Sequence, residues 1–201
     1  MTFRLGLTGS IGTGKSTTAT LFTEFGCDVW DADQAVHLLY EKGGAAVYPI
    51  SKVFPSSIVN DAVCRTSLKE ILSQDQHAFS QLEAIVHPLV AKNRAKFVEN
   101  SKANILVFDI PLLFETNGDR HMDAVACVYI DEETQKKRTL DRGSMTEEQF
   151  SQILAKQMPI SQKCAKADYI IITDTVEHAR EQVKHILEQI RGQIAHARNR
   201  S

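Results

Sequence analysis

Residues 3–26 read FRLGLTGSIGTGKSTTATLFTEFG. The apolar run FRLGLT (3–8) has the length and residue types of a buried strand, and STTATLFTEFG (16–26) reads as a helix that stops at Gly26. Between them lies the glycine loop GSIGTGKS (9–16), in which Gly9, Gly14, Lys15 and Ser16 fit G-x-x-x-x-G-K-[ST]. That string carries chemistry only when it follows a buried strand and opens a helix, and here it does both. The glycines let the backbone curl until its N–H groups point inward at phosphate oxygens. The helix start adds unpaired donors and the positive end of a dipole. Lys15 supplies a point charge for the β- and γ-phosphates, and Ser16 a hydroxyl for Mg²⁺. The loop implies a nucleoside triphosphate without saying what is done with it. A guanine-nucleotide switch would add N-K-x-D and D-x-x-G, and neither string occurs.

Working outward, CDVWD (27–31), NILVFD (104–109), AVACVYI (124–130) and YIII (169–172) read as four more strands. ADQAVHLLYEKGG reads as a helix closed by Gly43–Gly44, and DEETQKKRTLDR as a charged helix. The stretch 45–62 reads as irregular. Residues 65–100 are mostly helical, with Phe79, Leu82, Val86, Leu89, Val90 and Phe97 near helical spacing and Pro88 as a kink or break. In the last helix Val176, Ala179, Val183, Ile186, Leu187, Ile190 and Ile194 share one face. Strands alternating with helices predict an α/β fold: a parallel sheet of about five strands covered on both faces. Two long excursions, near 45–103 and 138–167, are where parts specific to the substrate belong.

The chain has 201 residues, enough for a single domain with insertions, with 43% apolar and 24% charged residues and a net charge of −2. That balance excludes a surface built to coat nucleic acid or an anionic membrane. A basic tilt occurs only at the C-terminus, at Arg191, Arg198 and Arg200, and reads as a solvated helix end. No apolar run approaches the ~20 residues a membrane span needs. Cys27, Cys64, Cys127 and Cys164 are far apart and form no C-x-x-C, so reduced thiols in a cytoplasmic protein are the simplest account. Cys27 and Cys127 fall in apolar runs and are expected in the core. The seven histidines show no metal-ligand spacing.

Other constellations have both a structural and a functional reading. Asp109, at the end of a strand, could reach Mg²⁺ or its water shell, or be satisfied by backbone. Lys136, Lys137, Arg138 and Arg142 interleave with acids, as a solvated face would. On a mobile flap, though, Arg142 beside Gly143 could stabilise a transferred phosphoryl group, with Arg138 one turn away. His87, Arg65, Lys69, Lys92 and Arg94 could line an anion-binding surface. In CDVWDADQ (27–34), Asp31 and Gln34 have the spacing of a capping box, and Asp33 falls in the first helical turn. The second strand is expected to end beside the first, so Asp33 can stand near the transferred phosphate.

Together the strings GLTGSIGTGKS, DVWDADQAVHLLYEKG, RTSLKE, HPLV, DIPLLFE, QKKRTLDRGSMTEE, AKQMP and KADYIIITD resemble the dephospho-coenzyme A kinase family over residues 3–175. The resemblance implies a P-loop kinase core, a helical substrate-binding insertion at about 45–103 and a lid at about 138–166. It implies transfer of the γ-phosphoryl of ATP to the ribose 3′-hydroxyl of dephospho-coenzyme A, the last step of coenzyme A synthesis. The ATP site would take in Gly9, Gly12, Thr13, Gly14, Lys15, Ser16, Thr17 and Arg142. Asp33 matches the base. Arg65 and His87 match the substrate insertion, Arg138 joins them on the substrate side, and Ser16 and Asp109 would serve Mg²⁺. Ser10 stands where the family commonly has glycine, at a variable position. Thr173 stands where an asparagine is usual after the last strand, and it lacks the amide's paired donor and acceptor for adenine. A nucleoside-monophosphate-type kinase, and a module that hydrolyses ATP slowly while sensing nucleotide, are the alternatives.

Overall fold

Leu5 and Leu7 are fully buried in β1 (Phe3–Gly9), the middle strand of a five-stranded parallel sheet. The computed structural model describes residues 2–143 and 145–198, without the side chains of Gln76 and Arg198. The expected basic tail at Arg198 and Arg200 thus lies outside the described residues, at Arg198 for its side chain. The other strands are β2 (Asp28–Asp31), β5 (Ile105–Asp109), β6 (Ala124–Tyr129) and β7 (Tyr169–Ile172). The order across the sheet is β2-β5-β1-β6-β7. The second strand therefore does not end beside the first: β5 lies between them. Sequence order alone cannot reveal this, because a crossover connection can step over the place of a strand not yet made.

The chain forms two compact units, one running up to Trp30 and resuming at Lys102, the other spanning Asp31–Ser101. In the first, β5 is buried along its whole length and β6 almost so, as strands covered on both faces must be. The register sets Leu5 beside Val107 and Ala124, and Leu7 beside Asp109 and Ala126. Side-chain alternation then sorts the faces. Leu5, Leu7, Val107, Ala126 and Val128 join one cluster with Leu21 and Phe22 of α1 (Lys15–Glu24) and with α9 (Val176–Arg198). Val125 instead packs with Leu113 and Phe114. Gly6 leaves room on that second face, since a Cβ there would stand 2.7 Å from Leu113 Cδ2. On α9 the expected face is buried from Ala179 to Ile190, while Val176, its first residue, is exposed. Gln182 covers part of the open edge of β7, accepting the Ile172 N–H at 3.0 Å and donating to its carbonyl at 2.8 Å.

Also in this unit are α6 (Glu132–Asp141), α7 (Glu147–Ala155) and α8 (Ile160–Lys166). Thr146 and Gln149 close a reciprocal capping box at the start of α7. Cys27 and Cys127 are core residues as expected. Burial pushes the Cys27 thiol up to about 11, with Arg191 opposing and Asp28 adding to the shift, and carries Cys127 well above the usual thiol range.

The second unit holds α2 (Ala32–Tyr40), α3 (Val47–Val53), a hairpin of β3 (Ile58–Val59) and β4 (Ala62–Val63), α4 (Arg65–Gln74) and α5 (Gln76–Asn100). Leu39, Ile50, Phe54, Leu68, Leu82 and Val86 form its core. It begins well before residue 45, because α2 packs on α5. The stretch expected to be irregular contains α3 and the hairpin, whose turn residues Asn60 and Asp61 both have positive φ. Strands of two residues are too short to show an alternating pattern. Pro49 falls in the first turn of α3, where its missing N–H has no helical partner to lose. Pro88 does not break α5, which runs on through it. Phe79 is exposed, so the buried face of α5 begins at Leu82 apart from Ala78. No helix among the described residues is long and apolar enough to cross a membrane.

Candidate active site

The carboxyl end of β1 runs into the glycine loop, and Gly14, with φ +91°, starts α1. Gly12 has φ +77°, and a Cβ there would stand 2.1 Å from Thr139 Oγ1 and 3.1 Å from the Gln135 carbonyl. Only glycine fits where the loop abuts α6. Thr13 is fully buried and its hydroxyl donates to the Ser10 carbonyl at 2.8 Å, so its side chain braces the loop from inside. Its backbone N–H also donates to the Ser10 carbonyl, at 3.3 Å. Ser16 and Thr17 are exposed at the first turn of α1. Lys15 forms an ion pair with Asp109, which is 1% exposed. The strand-end aspartate is thus charge-paired across the loop.

Beside the loop a cavity of about 250 Å³ is lined by Gly12, Gly14, Thr17, Arg138, Arg142 and Thr173, among others. Arg138 is held there: Nη1 donates to the Thr173 carbonyl at 2.7 Å and Nη2 to that of Asp174 at 2.9 Å. It lines the same cavity as the loop glycines, although it was expected on the substrate side. Arg142 caps the C-terminus of α6 and is exposed. Thr173 is buried, and its hydroxyl lies 2.5 Å from the Thr13 carbonyl and 3.3 Å from that of Tyr129. The hydroxyl that replaces the usual amide is therefore committed to the underside of the loop. A larger cavity, about 570 Å³, involves Phe3, Arg4, Arg120 and Met122. It adjoins the amino ends of β1 and β6, whereas ligands of open α/β sheets bind at the carboxyl ends.

In the other unit, Asp31 caps α2 by accepting the Gln34 N–H at 2.9 Å, the bond its spacing suggested. Asp33 follows in the first turn and is exposed. Arg65 opens α4, with its guanidinium 5.8 Å from the centre of the Tyr40 ring. His87 is exposed on α5, 3.7 Å from Glu83. No group of three or more histidines, cysteines or acids among the described residues could hold a metal by itself. Residue-by-residue reading missed Gln135 and Gln157, which bond the backbone of Ile11, and Thr139, which lies against Gly12. Their signal is weak, because ordinary polar residues acquire this role only through long-range contact.

The family model for dephospho-CoA kinase matches residues 3–178. The chain belongs to the dephospho-CoA kinase family. A dephospho-CoA kinase of Ruegeria pomeroyi is 60% identical over 197 residues, covering 98% of this chain and 100% of that one. The crystal structure of TT1252 from Thermus thermophilus matches with a TM-score of 0.84 at 26% identity, covering 94% of this chain and 97% of that one. The dephospho-CoA kinase from Campylobacter jejuni shares the fold, with a TM-score of 0.67 at 24% identity and coverage of 94% and 98%. Family membership makes this chain a kinase with ATP as co-substrate, and its fold is the α/β phosphate-loop kinase fold.

Proposed function

We propose that this chain transfers the γ-phosphoryl group of ATP to the ribose 3′-hydroxyl of dephospho-CoA, releasing CoA, ADP and a proton. The observation that carries the reading is the loop from Gly9 to Thr17, with Lys15 and the buried Asp109 together at the carboxyl ends of β1 and β5. Backbone N–H groups of Gly12 and of Gly14 to Thr17 hold the triphosphate. Lys15 exchanges Asp109 for the β- and γ-phosphates, so its charge is already in place when ATP arrives. A hydroxyl and a carboxylate suit Mg²⁺, which binds mainly phosphate and water and takes few protein ligands. Ser16 would hold it directly, and Asp109 through its water shell. When bound, the ion neutralises charge on the phosphates.

Asp33 orients the acceptor hydroxyl and takes its proton late in a loose transition state. Arg65 and His87 meet the anionic groups of dephospho-CoA within a substrate insertion of about residues 45–103. Arg142 reaches the transferred group when a lid of about 138–166 closes and excludes water. An ADP-release assay with Mg²⁺, with and without dephospho-CoA, tests the reaction. Dephospho-CoA should raise turnover strongly, and AMP, CMP, GMP and UMP should not. Turnover indifferent to dephospho-CoA would sink the proposal.

A further inference from the structure

Both backbone polar groups of Ile11 are held by side chains. Gln135 Nε2 on α6 donates to its carbonyl at 2.6 Å, and Gln157 Oε1 accepts its N–H at 3.3 Å. Ile11 immediately precedes Gly12, where the loop bends back on α6. Gln157 sits in the link between α7 and α8, far away in sequence, and that link is itself anchored. The next residue, Met158, donates its N–H to Glu115 Oε1 at 2.8 Å, and its side chain packs with Leu113, Phe114 and Val125. The same Glu115 oxygen lies 3.0 Å from Nζ of Lys163, which is fully buried on α8. Lys163 also donates to the Pro111 carbonyl at 2.7 Å, and Thr8 Oγ1 donates to that carbonyl at 3.0 Å. Residues 157–163 are therefore bonded to the loop itself at Ile11. Through Pro111 they also reach Thr8, the residue just before Gly9.

We propose that Gln157 is a positioning residue for phosphoryl transfer. Its amide oxygen, kept in place by the Glu115–Lys163 pair, fixes the Ser10–Ile11 peptide, next to the Ile11–Gly12 peptide that Gln135 holds, so that the loop's N–H groups stay aimed at the triphosphate. The inference rests on the reading that residues 9–17 hold ATP. Gln157 touches neither reactant and acts through Ile11. One neutral hydrogen bond adds little to affinity, because a loosened loop can still follow a bound triphosphate. Alignment in the transition state is less forgiving.

The test compares Gln157→Met, which keeps the length and removes the acceptor, with Gln157→Glu, which keeps an acceptor. For each, kcat is measured at saturating ATP and dephospho-CoA, so that the added charge of the glutamate, which acts on ATP affinity, does not obscure the result. The ATP dissociation constant and Tm are measured alongside. We expect Gln157→Met to lose ~10–100-fold in kcat, the scale of a small misplacement of reacting groups. Its ATP dissociation constant should rise less than ~5-fold and its Tm stay near that of the unaltered protein. Gln157→Glu should recover most of kcat. Normal kcat in Gln157→Met would overturn the proposal, as would equal losses in both variants, a rise in dissociation constant matching the loss of kcat, or failure of Gln157→Met to fold. If the unaltered protein does not bind ATP, the loop reading itself fails. If it binds ATP and Gln157→Met behaves normally, only the role of Gln157 falls.

Discussion

Lys15, the one ammonium group of the loop, is ion-paired with the buried carboxylate of Asp109. In the proposed reaction, each ATP that binds draws Lys15 away from that partner. Lys15→Ala should lower turnover by ~10²–10³, the scale of losing one preorganised donor, with the fold intact. Asp109→Asn should tighten ATP binding measured without Mg²⁺, because Lys15 no longer leaves a charged partner, yet lower turnover with Mg²⁺ present. Unchanged ATP binding without Mg²⁺ would show that the ion pair does not compete with the nucleotide.

Asp31 and Asp33 carry different assignments, a helix cap and, in the proposed reaction, the base. Asp31 is occupied as the N-cap of α2, and Asn also caps well, so Asp31→Asn should be mild. Asp33 is exposed, and Asp33→Asn keeps its shape while removing the charge. It should reduce kcat by ~10²–10⁴ with ATP binding little changed. Equal losses in the two variants, or a loss confined to ATP affinity, would contradict the assignment of Asp33 to the 3′-hydroxyl.

Arg142 and Arg138 should behave differently although they line one cavity. Arg138 is tied to the carbonyls of Thr173 and Asp174, so Arg138→Ala should weaken ATP binding and stability together. Arg142→Ala should lower kcat far more than it weakens ATP binding, since the proposed contact would form mainly in the transition state. Amide exchange should show protection gained within 138–166 when a bisubstrate analogue binds. Identical exchange with and without the analogue would argue against a lid.

Gly12 and Gly43 have nearly the same φ, +77° and +79°, but only Gly12 is crowded. An alanine at either position takes on a left-handed backbone at roughly 1–2 kcal/mol. At Gly12 its Cβ must also displace Thr139. Gly12→Ala should therefore be the more destabilising in denaturant unfolding and should abolish activity, while Gly43→Ala stays active. Equal destabilisation would mean that α6 yields freely.

Glu115 gives the fold an acid-sensitive element. Burial pushes its carboxyl up, but the Met158 N–H and the Lys163 ammonium outweigh burial and hold it below the usual glutamate range. A depressed folded value means stabilisation that is complete above the unfolded pKa of ~4.3 and is lost as pH falls through the lower folded value. Glu115→Gln should cost about 1–3 kcal/mol at pH 7 by leaving buried Lys163 with a weaker partner. Its stability should also fall less steeply below pH ~4.3. Parallel stability curves for the two proteins would exclude this role.

Much of the fold was legible because it is written locally. Five apolar runs, the glycine loop after the first and the periodic face of α9 each depend on residues close in sequence, and each appears where expected. The cap at Asp31 and the buried cysteines follow the same logic. What failed to show was either very short or non-local. The hairpin at 58–63 has strands of two residues, too brief for a pattern. Pro88 reads as a kink or break, and α5 continues through it, with Leu82 and Val86 in the core on the preceding turns.

By itself, then, the sequence determined that a strand, a glycine-rich phosphate-loop motif and a helix follow one another. The tertiary structure alone decided that β5 comes between β1 and β2, that Lys15 meets Asp109, 94 residues away, and that Gln135, Gln157 and Thr173 brace the loop. The physical reason is that backbone curvature and helix capping are settled by neighbours within a few residues. The partner of a charge or an amide is settled by which distant segments the buried sheet draws together.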